Sequence, residues 1–529
     1  MNTSEFLMIA ASVVPDRIAM ACEGDSRTFV QLQERVNRLA NALQSLGVVK
    51  GDKVAVLALN SIPYVETYYA CAKLGAVFVP LNYRAKKEEI SYMVNNAEAK
   101  VMFVGERYLD LTAAIRPQFQ TVQHFVCYDA RPGQTPARPG EDMTFYEDLL
   151  APHEPEEVFT DVEDTDATII LYTSGTTARP KGVVLTYLSM SVYVTNTVEP
   201  ANPESHAVTL LSVPVYHVAG ATAILSSVWG GRTLVILPQF EPNAWLEAVQ
   251  AHRVTHSFVV PTMLKRVMEH PVFDNYDLRS LQLIAYGAAP MPYDVVTKAI
   301  EVFRCGLMNA YGQTESTSTL TFLGPEDHQI PDGPPEEREK KLHRLRSVGC
   351  AMEDVVVAIV DPQGELLPPG KEGEIVAQGA RLMSGYLGLH DETDEAMRGG
   401  WLHTGDIGWM DDDGYIYITG RTKDLIIRGG ENIATGEIEA VLEEHPAVGQ
   451  AAVIGVPDAE WGEEVKAVIV TESGKQPSSE ELTAFVKERL ASYKAPKYYA
   501  FAEDLPRNYL GKVLKTDLRK QYGEAKDET

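Results

Sequence analysis

The strongest chemical signal in this sequence is a polar turn at 172–182, YTSGTTARPKG. Four hydroxyl side chains surround one glycine and a lysine closes the turn, which contains Thr173, Ser174, Gly175, Thr176, Thr177 and Lys181. Hydroxyls and free backbone N–H groups that follow a strand form a cradle for an anion, and such a cradle suits a triphosphate. An ordinary Ser/Thr-rich turn is the alternative, which the length of the turn and the preceding apolar run at 168–171 disfavour.

Several common catalytic motifs do not occur in the sequence. No Gly-Lys pair is followed by Ser or Thr, and there is no G-x-G-x-x-G, G-x-S-x-G or H-E-x-x-H. These absences disfavour Walker-type nucleotide hydrolases, nicotinamide-dependent enzymes, serine hydrolases and zinc peptidases.

The chain of 529 residues carries 47 basic and 74 acidic side chains, a formal net charge of -27. Such a charge repels nucleic acid and anionic membranes, so local donors, a few cations and a metal must hold any phosphate. The five cysteines show no ligand or redox spacing, which is typical of a reducing compartment. The apolar start at 6–15 follows no basic residue and favours an amphipathic helix, and the apolar region 218–238 is interrupted. We expect a cytoplasmic protein with no nucleic-acid partner and no integral membrane segment, and we leave a homodimer open.

Short β-branched runs alternate with segments of helical period from residue 53 onward. Strands are predicted at 54–59, 76–80, 168–171, 209–213, 233–237, 257–260 and 281–285, and helices at 64–74, 244–252, 262–269 and 293–302. Apolar strands separated by helices predict layers of parallel α/β structure.

The pattern changes after residue 311. The segment 331–346 is rich in proline and charge and predicts an exposed excursion. Strands at 355–360, 373–377 and 415–419 predict a smaller β-rich subdomain. A last α+β unit follows the polar segment 420–424, with strands predicted at 451–456 and 465–470 and helices at 436–444 and 480–490.

Four further motifs follow the polar turn in order. They are YGQTE at 311–315, HTGD at 403–406, GRTKD at 420–424 and PRNYLGK at 506–512. Each is a weak signal alone, but together with YTSGTTARPKG they resemble the acyl- and aryl-CoA synthetases of the ANL adenylate-forming superfamily over essentially the whole chain.

The resemblance implies a fold, a reaction and its cofactors. The fold would be an N-terminal AMP- and acyl-binding domain at 1–421, with parallel α/β layers and the β-rich subdomain, followed by a small mobile α+β domain at 422–529. The enzyme would use ATP and Mg²⁺ to convert a small-molecule carboxylic acid to an acyl-adenylate, and would then transfer the acyl group to coenzyme A.

The resemblance also implies a role for each matching residue. The turn from Thr173 to Lys181 would bind the β- and γ-phosphates, and Glu315 with Thr173 would bind Mg²⁺. Asp406 would accept hydrogen bonds from the ribose, with Arg421 beside it. Tyr311 would lie against adenine, and the remaining nucleotide-binding positions would be Gly287, Ala288, Ala289, Gly312 and Thr314.

Two lysines and a histidine complete the implied site. Lys512 resembles the lysine that bridges the substrate carboxylate and the α-phosphate, where one preorganised donor contributes roughly 3–4 kcal/mol. Lys423 matches the hinge, about which the loop with Gly429 and Gly430 would swing toward CoA. His217 matches a residue that borders the acyl pocket, although a core histidine fits equally well. The implied catalytic set is therefore Lys512, Glu315, Thr173 and His217.

The sequence departs from the family at two places, and several alternatives stay open. Ala178 replaces a usual glycine, and Tyr509 with Leu510 replaces small polar residues before the Lys512 loop. The motifs GAAP at 287–290 and GGEN at 429–432 favour a medium- or long-chain fatty acid, with cinnamate-type aromatic acids as the alternative. An acceptor other than CoA and a non-catalytic nucleotide-binding relative are the other hypotheses.

Overall fold

The computed structural model describes residues 2–128, 143–173, 179–330, 334–428, 431–458, 461–507 and 512–528. The helices are α1 Ser4–Val13, α2 Phe29–Ser45, α3 Ile62–Leu74, α4 Lys87–Asn96, α5 Leu109–Ile115, α6 Tyr146–Leu150, α7 Tyr187–Thr197, α8 Val218–Trp229, α9 Pro242–His252, α10 Pro261–Met268, α11 Tyr293–Val302, α12 Pro335–Arg344, α13 His390–Ala396, α14 Thr435–Glu443, α15 Ser479–Arg489 and α16 Lys515–Tyr522. Short 3₁₀ turns lie between other elements, and two of them, Thr314–Ser316 and Thr422–Asp424, connect strands.

The strands are β1 Ile18–Cys22, β2 Asp25–Thr28, β3 Lys53–Leu57, β4 Val77–Pro80, β5 Ala99–Gly105, β6 His124–Tyr128, β7 Met143–Phe145, β8 Ala167–Thr173, β9 Lys181–Thr186, β10 Val208–Leu211, β11 Thr233–Ile236, β12 His256–Val259, β13 Leu283–Gly287, β14 Gly306–Gln313, β15 Ser318–Leu323, β16 Cys350–Ala351, β17 Val355–Val360, β18 Gly373–Gly379, β19 Gly385–Tyr386, β20 Leu402–Met410, β21 Ile416–Arg421, β22 Ile426–Arg428, β23 Glu431–Ile433, β24 Val448–Asp458, β25 Gly462–Thr471 and β26 Tyr498–Phe501.

Two large sheets form most of the N-terminal part. One has the order β16-β15-β14-β13-β12-β10-β11-β1-β2, and the other has the order β19-β9-β8-β4-β3-β5-β6-β7. The pairs from β11 through β14 are parallel, as are β4-β3-β5-β6, because helices connect the strands. The predicted α/β layers are therefore confirmed.

Local sequence signals begin and end the helices that join these strands. Thr28 and Gln31 form a capping box at the start of α2. Helix α3 begins after Ser61, whose hydroxyl accepts from the backbone N–H of Tyr64, and ends at Gly75 with a left-handed φ of 64°. The apolar faces of α1, α2 and α3 then pack in one core, which includes Phe29.

The β-rich subdomain and the C-terminal unit are also confirmed. A four-stranded antiparallel sheet has the order β17-β18-β20-β21 around a small apolar core that contains Ile359 and Ile375. The C-terminal unit has its own sheet of β22 to β26, with Ile438 and Val453 in its core. The boundary between 421 and 422 falls between β21 and the turn Thr422–Asp424, and it stays a prediction.

The predicted excursion at 331–346 contains a helix that the sequence interpretation missed. Helix α12 buries none of its residues, so this part of the segment is exposed as expected. Ion pairs fix its basic side, where Lys341 contacts Asp327 at 3.3 Å and Arg344 contacts Asp413 at 2.6 Å. The helix is therefore held by these ion pairs and by one partly buried apolar residue, Leu342, which packs against the core that contains Ile284.

Two other expectations from the sequence concern the helix at the start of the chain and membrane-spanning helices. The apolar start does form a helix, α1, which buries Phe6 and Leu7. Among the described residues, no helix has both the length and the apolar character needed to cross a membrane.

A buried ion pair within the β-rich subdomain lies beside helix α7 of the large domain. The Arg381 guanidinium is fully buried, its Nε lies 3.4 Å from Asp354 Oδ2, and its Cζ lies 5.4 Å from the Tyr193 ring. In the part of the chain that the structure describes, no hydrogen bond reaches this guanidinium. Burial lowers the pKa of Arg381, and the Asp354 carboxylate opposes that shift.

Asp354→Asn should lower the free energy of unfolding by roughly 3–5 kcal/mol, because it leaves the Arg381 charge buried without compensation. The double variant Arg381→Met/Asp354→Leu should recover most of this loss, since it removes both charges. Chemical denaturation followed by tryptophan fluorescence measures both changes. Equal destabilisation in the two variants would show that packing, and not charge, is responsible.

Candidate active site

The Asp406 carboxylate connects two sheets at the centre of the site. Asp406 on β20 lies opposite Arg421 on β21, and Arg421 Nε is 2.6 Å from Asp406 Oδ1. The hydroxyl of Tyr311, from β14 of the nine-stranded sheet, donates to Asp406 Oδ2 over 2.8 Å. Three of the residues expected to bind the nucleoside therefore meet at one carboxylate.

The environment keeps Tyr311 and Arg421 in defined protonation states. Burial, together with the Asp406 charge, raises the pKa of Tyr311, so the phenol stays a donor. Burial disfavours the charge of Arg421, but Asp406 and Tyr311 outweigh it and raise the pKa of the guanidinium. Each oxygen of Asp406 retains lone-pair capacity beyond the bond described, so acceptance from ribose hydroxyls remains available.

Glu315 lies on the short turn between β14 and β15. Its Oε1 accepts a hydrogen bond of 3.0 Å from the Tyr386 hydroxyl, and its backbone carbonyl accepts from the Met383 N–H at 2.8 Å. Burial raises the pKa of Glu315, and the hydrogen bond from Tyr386 works against that shift. Glycine is required at 312, because a Cβ there would lie 1.7 Å from the Ser318 carbonyl oxygen.

The two ends of the polar turn are paired across a hairpin. Thr173 ends β8 and lies opposite Lys181, the first residue of β9. The Lys181 ammonium lies 5.0 Å from the centre of the Tyr386 ring. Ser174, Gly175, Thr176, Thr177 and Ala178 lie outside the described residues, so their expected phosphate contacts stay predictions.

The predicted adenine-binding segment follows β13. Gly287 lies opposite Ala310 of β14, and a Cβ at 287 would come within 2.2 Å of the Ala310 carbonyl oxygen. Ala288 has φ of 65°, a left-handed conformation that costs a residue with a Cβ roughly 1 kcal/mol or more. This close approach places residues 287–289 beside the strand that carries Tyr311.

Lys512 and Lys423 bring positive charge to the same carboxylate. Burial and the Arg421 charge lower the pKa of Lys512 to about 8, against the opposing effect of the Asp406 charge. Burial and Arg421 also lower the pKa of Lys423, which lies in the turn Thr422–Asp424. The structure therefore brings Lys512 to the Asp406 side of the site. Gly429, Gly430, Tyr509 and Leu510 lie outside the described residues.

His217 stands just before α8, and its ring lies 4.3 Å from the ring of Tyr216. Burial and the charge of Arg84 lower its pKa to about 3, so the imidazole is neutral at physiological pH. A neutral ring suits an apolar pocket wall better than a proton carrier at neutral pH.

Trp229 packs on Phe6 and donates its indole N–H to the Val198 carbonyl, as a core residue does.

Tyr386 is a site residue that the sequence interpretation missed. It touches both Glu315 and Lys181, which come from different sheets. The signal in the sequence is slight, a Gly-Tyr pair at 385–386 within an irregular segment.

Comparison with known proteins agrees with this geometry. A family model described as "AMP-binding enzyme" matches residues 8–387, and one described as "AMP-binding enzyme C-terminal domain" matches residues 437–512. The chain belongs to the AMP-binding enzyme family. As an AMP-binding enzyme it is a ligase of the ANL adenylate-forming superfamily, which confirms the resemblance in the sequence motifs.

Three similar proteins show how wide this AMP-binding enzyme family is. The chain is 34% identical to a feruloyl-CoA synthase of an Amycolatopsis species over 97% of each chain. It is also 34% identical to the long-chain-fatty-acid–CoA ligase FadD13 of Mycobacterium tuberculosis, over 94% of this chain and 93% of the relative. The solved amide bond synthetase McbA of Marinactinospora thermotolerans has a TM-score of 0.85 and 29% identity, over 98% and 100% of the two chains.

Lys512 should titrate with a midpoint near pH 8, because it is partly buried beside Arg421. Competitive labelling with an amine reagent across pH, read by mass spectrometry, measures this value, and exposed lysines of the same protein provide an internal reference near 10.4. Arg421→Gln should raise the Lys512 midpoint, since it removes a positive neighbour. A Lys512 midpoint that coincides with the exposed lysines would contradict the structure.

Proposed function

We propose that this AMP-binding enzyme is an AMP-forming acyl-CoA synthetase for hydrophobic carboxylic acids, with medium- or long-chain fatty acids as the first candidates. The meeting of Tyr311 and Arg421 at the Asp406 carboxylate, with Lys512 close enough to feel the charges of Arg421 and Asp406, carries the proposal. Such a cluster gives a nucleotide a fixed acceptor for its ribose and a cation close to the reacting phosphate.

In the first proposed step, an oxygen of the substrate carboxylate attacks the α-phosphorus of ATP. The bond from that phosphorus to the bridging oxygen breaks, and pyrophosphate leaves. Negative charge shifts between these oxygens in the transition state, so a fixed Lys512 ammonium stabilises the transition state more than the ground state. Lys181 would neutralise part of the charge on the departing phosphates.

Glu315 and Thr173 are the residues proposed to hold Mg²⁺. A carboxylate oxygen and a hydroxyl oxygen are the hard ligands that Mg²⁺ prefers, and Mg²⁺ bound to a nucleotide needs only one or two carboxylates from the protein. Within the described ranges no group of three acidic, histidine or cysteine side chains could hold a metal alone, which fits an ion shared with phosphate oxygens. When bound, the ion would offset charge on the triphosphate.

In the second proposed step, the thiolate of CoA attacks the acyl carbonyl carbon and AMP leaves with its phosphate oxygen. We propose that residues 422–529 rotate about Lys423 between the two steps and exchange the Lys512 loop for the loop at 429–430. A polar residue in the short turn Thr422–Asp424, between two sheets, suits such a hinge.

Two observations favour alternative substrates. The similarity to the feruloyl-CoA synthase supports a cinnamate-type aromatic acid as the second candidate. The similarity in fold to the amide bond synthetase supports an amine as a candidate acceptor in place of CoA. The neutral, buried His217 is compatible with both a fatty acyl group and a cinnamate-type acyl group.

A panel of acids tests the proposal directly. Fatty acids of graded chain length and cinnamates should each be scored for exchange of labelled pyrophosphate into ATP, and then for thioester formation with CoA. We expect exchange to rise with chain length and thioester to form only when CoA is present. No exchange with any acid would remove the catalytic proposal, and exchange followed by amide formation alone would change the acceptor.

Lys512→Ala should reduce acid-dependent pyrophosphate exchange by roughly 10²- to 10³-fold, since it removes one preorganised donor. Thioester formation from supplied acyl-adenylate and CoA should change little, because that step does not use the ammonium. Lys520→Ala, on the exposed side of α16 with 79% of its side chain accessible, is the matched control. Equal loss in both half-reactions would mean that Lys512 has a different role.

A further inference from the structure

Tyr386 lies between the two charged groups expected to act on the triphosphate. Its hydroxyl donates to Glu315 Oε1 over 3.0 Å, and its ring centre lies 5.0 Å from the Lys181 ammonium. A lysine within about 6 Å of an aromatic ring centre is attracted to the ring face. One side chain therefore makes a hydrogen bond to the carboxylate and a cation–π contact with the ammonium.

Backbone bonds fix the position of Tyr386 from both directions. On one side, Tyr386 lies opposite Val183 of β9, and the Leu387 N–H donates to the Gly182 carbonyl over 2.8 Å. On the other side, the Met383 N–H donates to the carbonyl of Glu315 over 2.8 Å. The segment 383–387 is thus bound both to the strand that begins at Lys181 and to the turn that carries Glu315.

We propose that Tyr386 is a positioning residue that aims the Glu315 carboxylate at the Mg²⁺ of bound MgATP and seats Lys181 beside the phosphates. The hydroxyl takes one lone pair of Oε1 and so restrains the orientation of the carboxylate, whose remaining lone pairs would be available to the metal. The inference rests on the proposed role of Glu315 in binding MgATP, and it adds a residue that neither the motifs nor the expected ligand set includes.

The hydroxyl and the ring of Tyr386 have separable roles. Tyr386→Phe keeps the ring against Lys181 and removes only the hydrogen bond to Glu315. Tyr386→Leu removes both contacts. A hydrogen bond to a charged group is among the stronger ones in proteins, so the loss of the hydroxyl should be measurable as a change in nucleotide affinity.

Isothermal titration of the full-length protein with ATP, once with Mg²⁺ and once with EDTA, tests the proposal without turnover. For Tyr386→Phe we expect the affinity for MgATP to fall by roughly five- to twentyfold, and the affinity for metal-free ATP to change by less than about twofold. For Tyr386→Leu we expect a further loss that appears with and without Mg²⁺, because Lys181 loses the ring.

Tyr415→Phe is the matched control, because its hydroxyl also donates to a carboxylate, Asp327 Oδ1 at 2.9 Å, outside the site. It should leave both affinities unchanged. Thermal unfolding of each variant identifies any general loss of structure. An equal fall with Mg²⁺ and with EDTA in Tyr386→Phe, or no fall at all, would overturn the proposal. If the unaltered protein binds no ATP with Mg²⁺ or with EDTA, the proposed function itself is wrong, whatever the Tyr386 variants show.

Discussion

The buried carboxylate of Asp406 is the constraint on which the arrangement of the site depends. It lies on the β-rich sheet, accepts from Tyr311 of the nine-stranded sheet, and faces Arg421 at the last residue before the C-terminal unit. A carboxylate so deeply buried is stable as an anion only with partners on several sides. Asp406 therefore links two sheets through Tyr311 and Arg421, and its charge raises the pKa values of Lys512 and Lys423.

The site gathers basic side chains in a molecule that is acidic as a whole. The chain has a formal net charge of -27, yet Lys181, Arg421, Lys423 and Lys512 are the basic residues of the site. A polyanionic nucleotide approaching such a protein gains little from long-range attraction. Recognition must then come from short-range contacts, which is consistent with the dense network of hydrogen bonds and ion pairs around Asp406 and Glu315.

Many regular elements of the large domain were predictable because their buried residues follow the apolar runs of strands or the apolar period of helices. Helix α11 begins and ends at the predicted residues, and the predicted strands of the two large sheets differ from the observed ones by at most two residues at their ends, although others, among them β5, β6 and β14, were not predicted. Helix α12 was missed because its sequence has no apolar stripe, so its stability comes from acidic residues in the first turn and basic residues in the last.

The motifs could select candidate site residues, but they could not predict which of these side chains contact one another. The motifs identified Tyr311, Glu315 and Asp406, since each lies in a recognisable string. No local pattern could indicate that Tyr386 reaches Glu315, because 71 residues separate them and a backbone hydrogen bond from Met383 to Glu315 brings the two segments together. The same limit applies to the Tyr311–Asp406 hydrogen bond, across 95 residues.

The position of β1 within the nine-stranded sheet has a consequence for shortened forms of the chain. Strand β1 pairs in parallel with β11, and the hairpin to β2 closes that side of the sheet. Removal of the first fifty residues would uncover the backbone donors and acceptors of β11 and an apolar surface that α1 and α2 otherwise cover. An uncapped strand of this kind is a template for association between molecules, so the amino-terminal hairpin also protects the protein from aggregation.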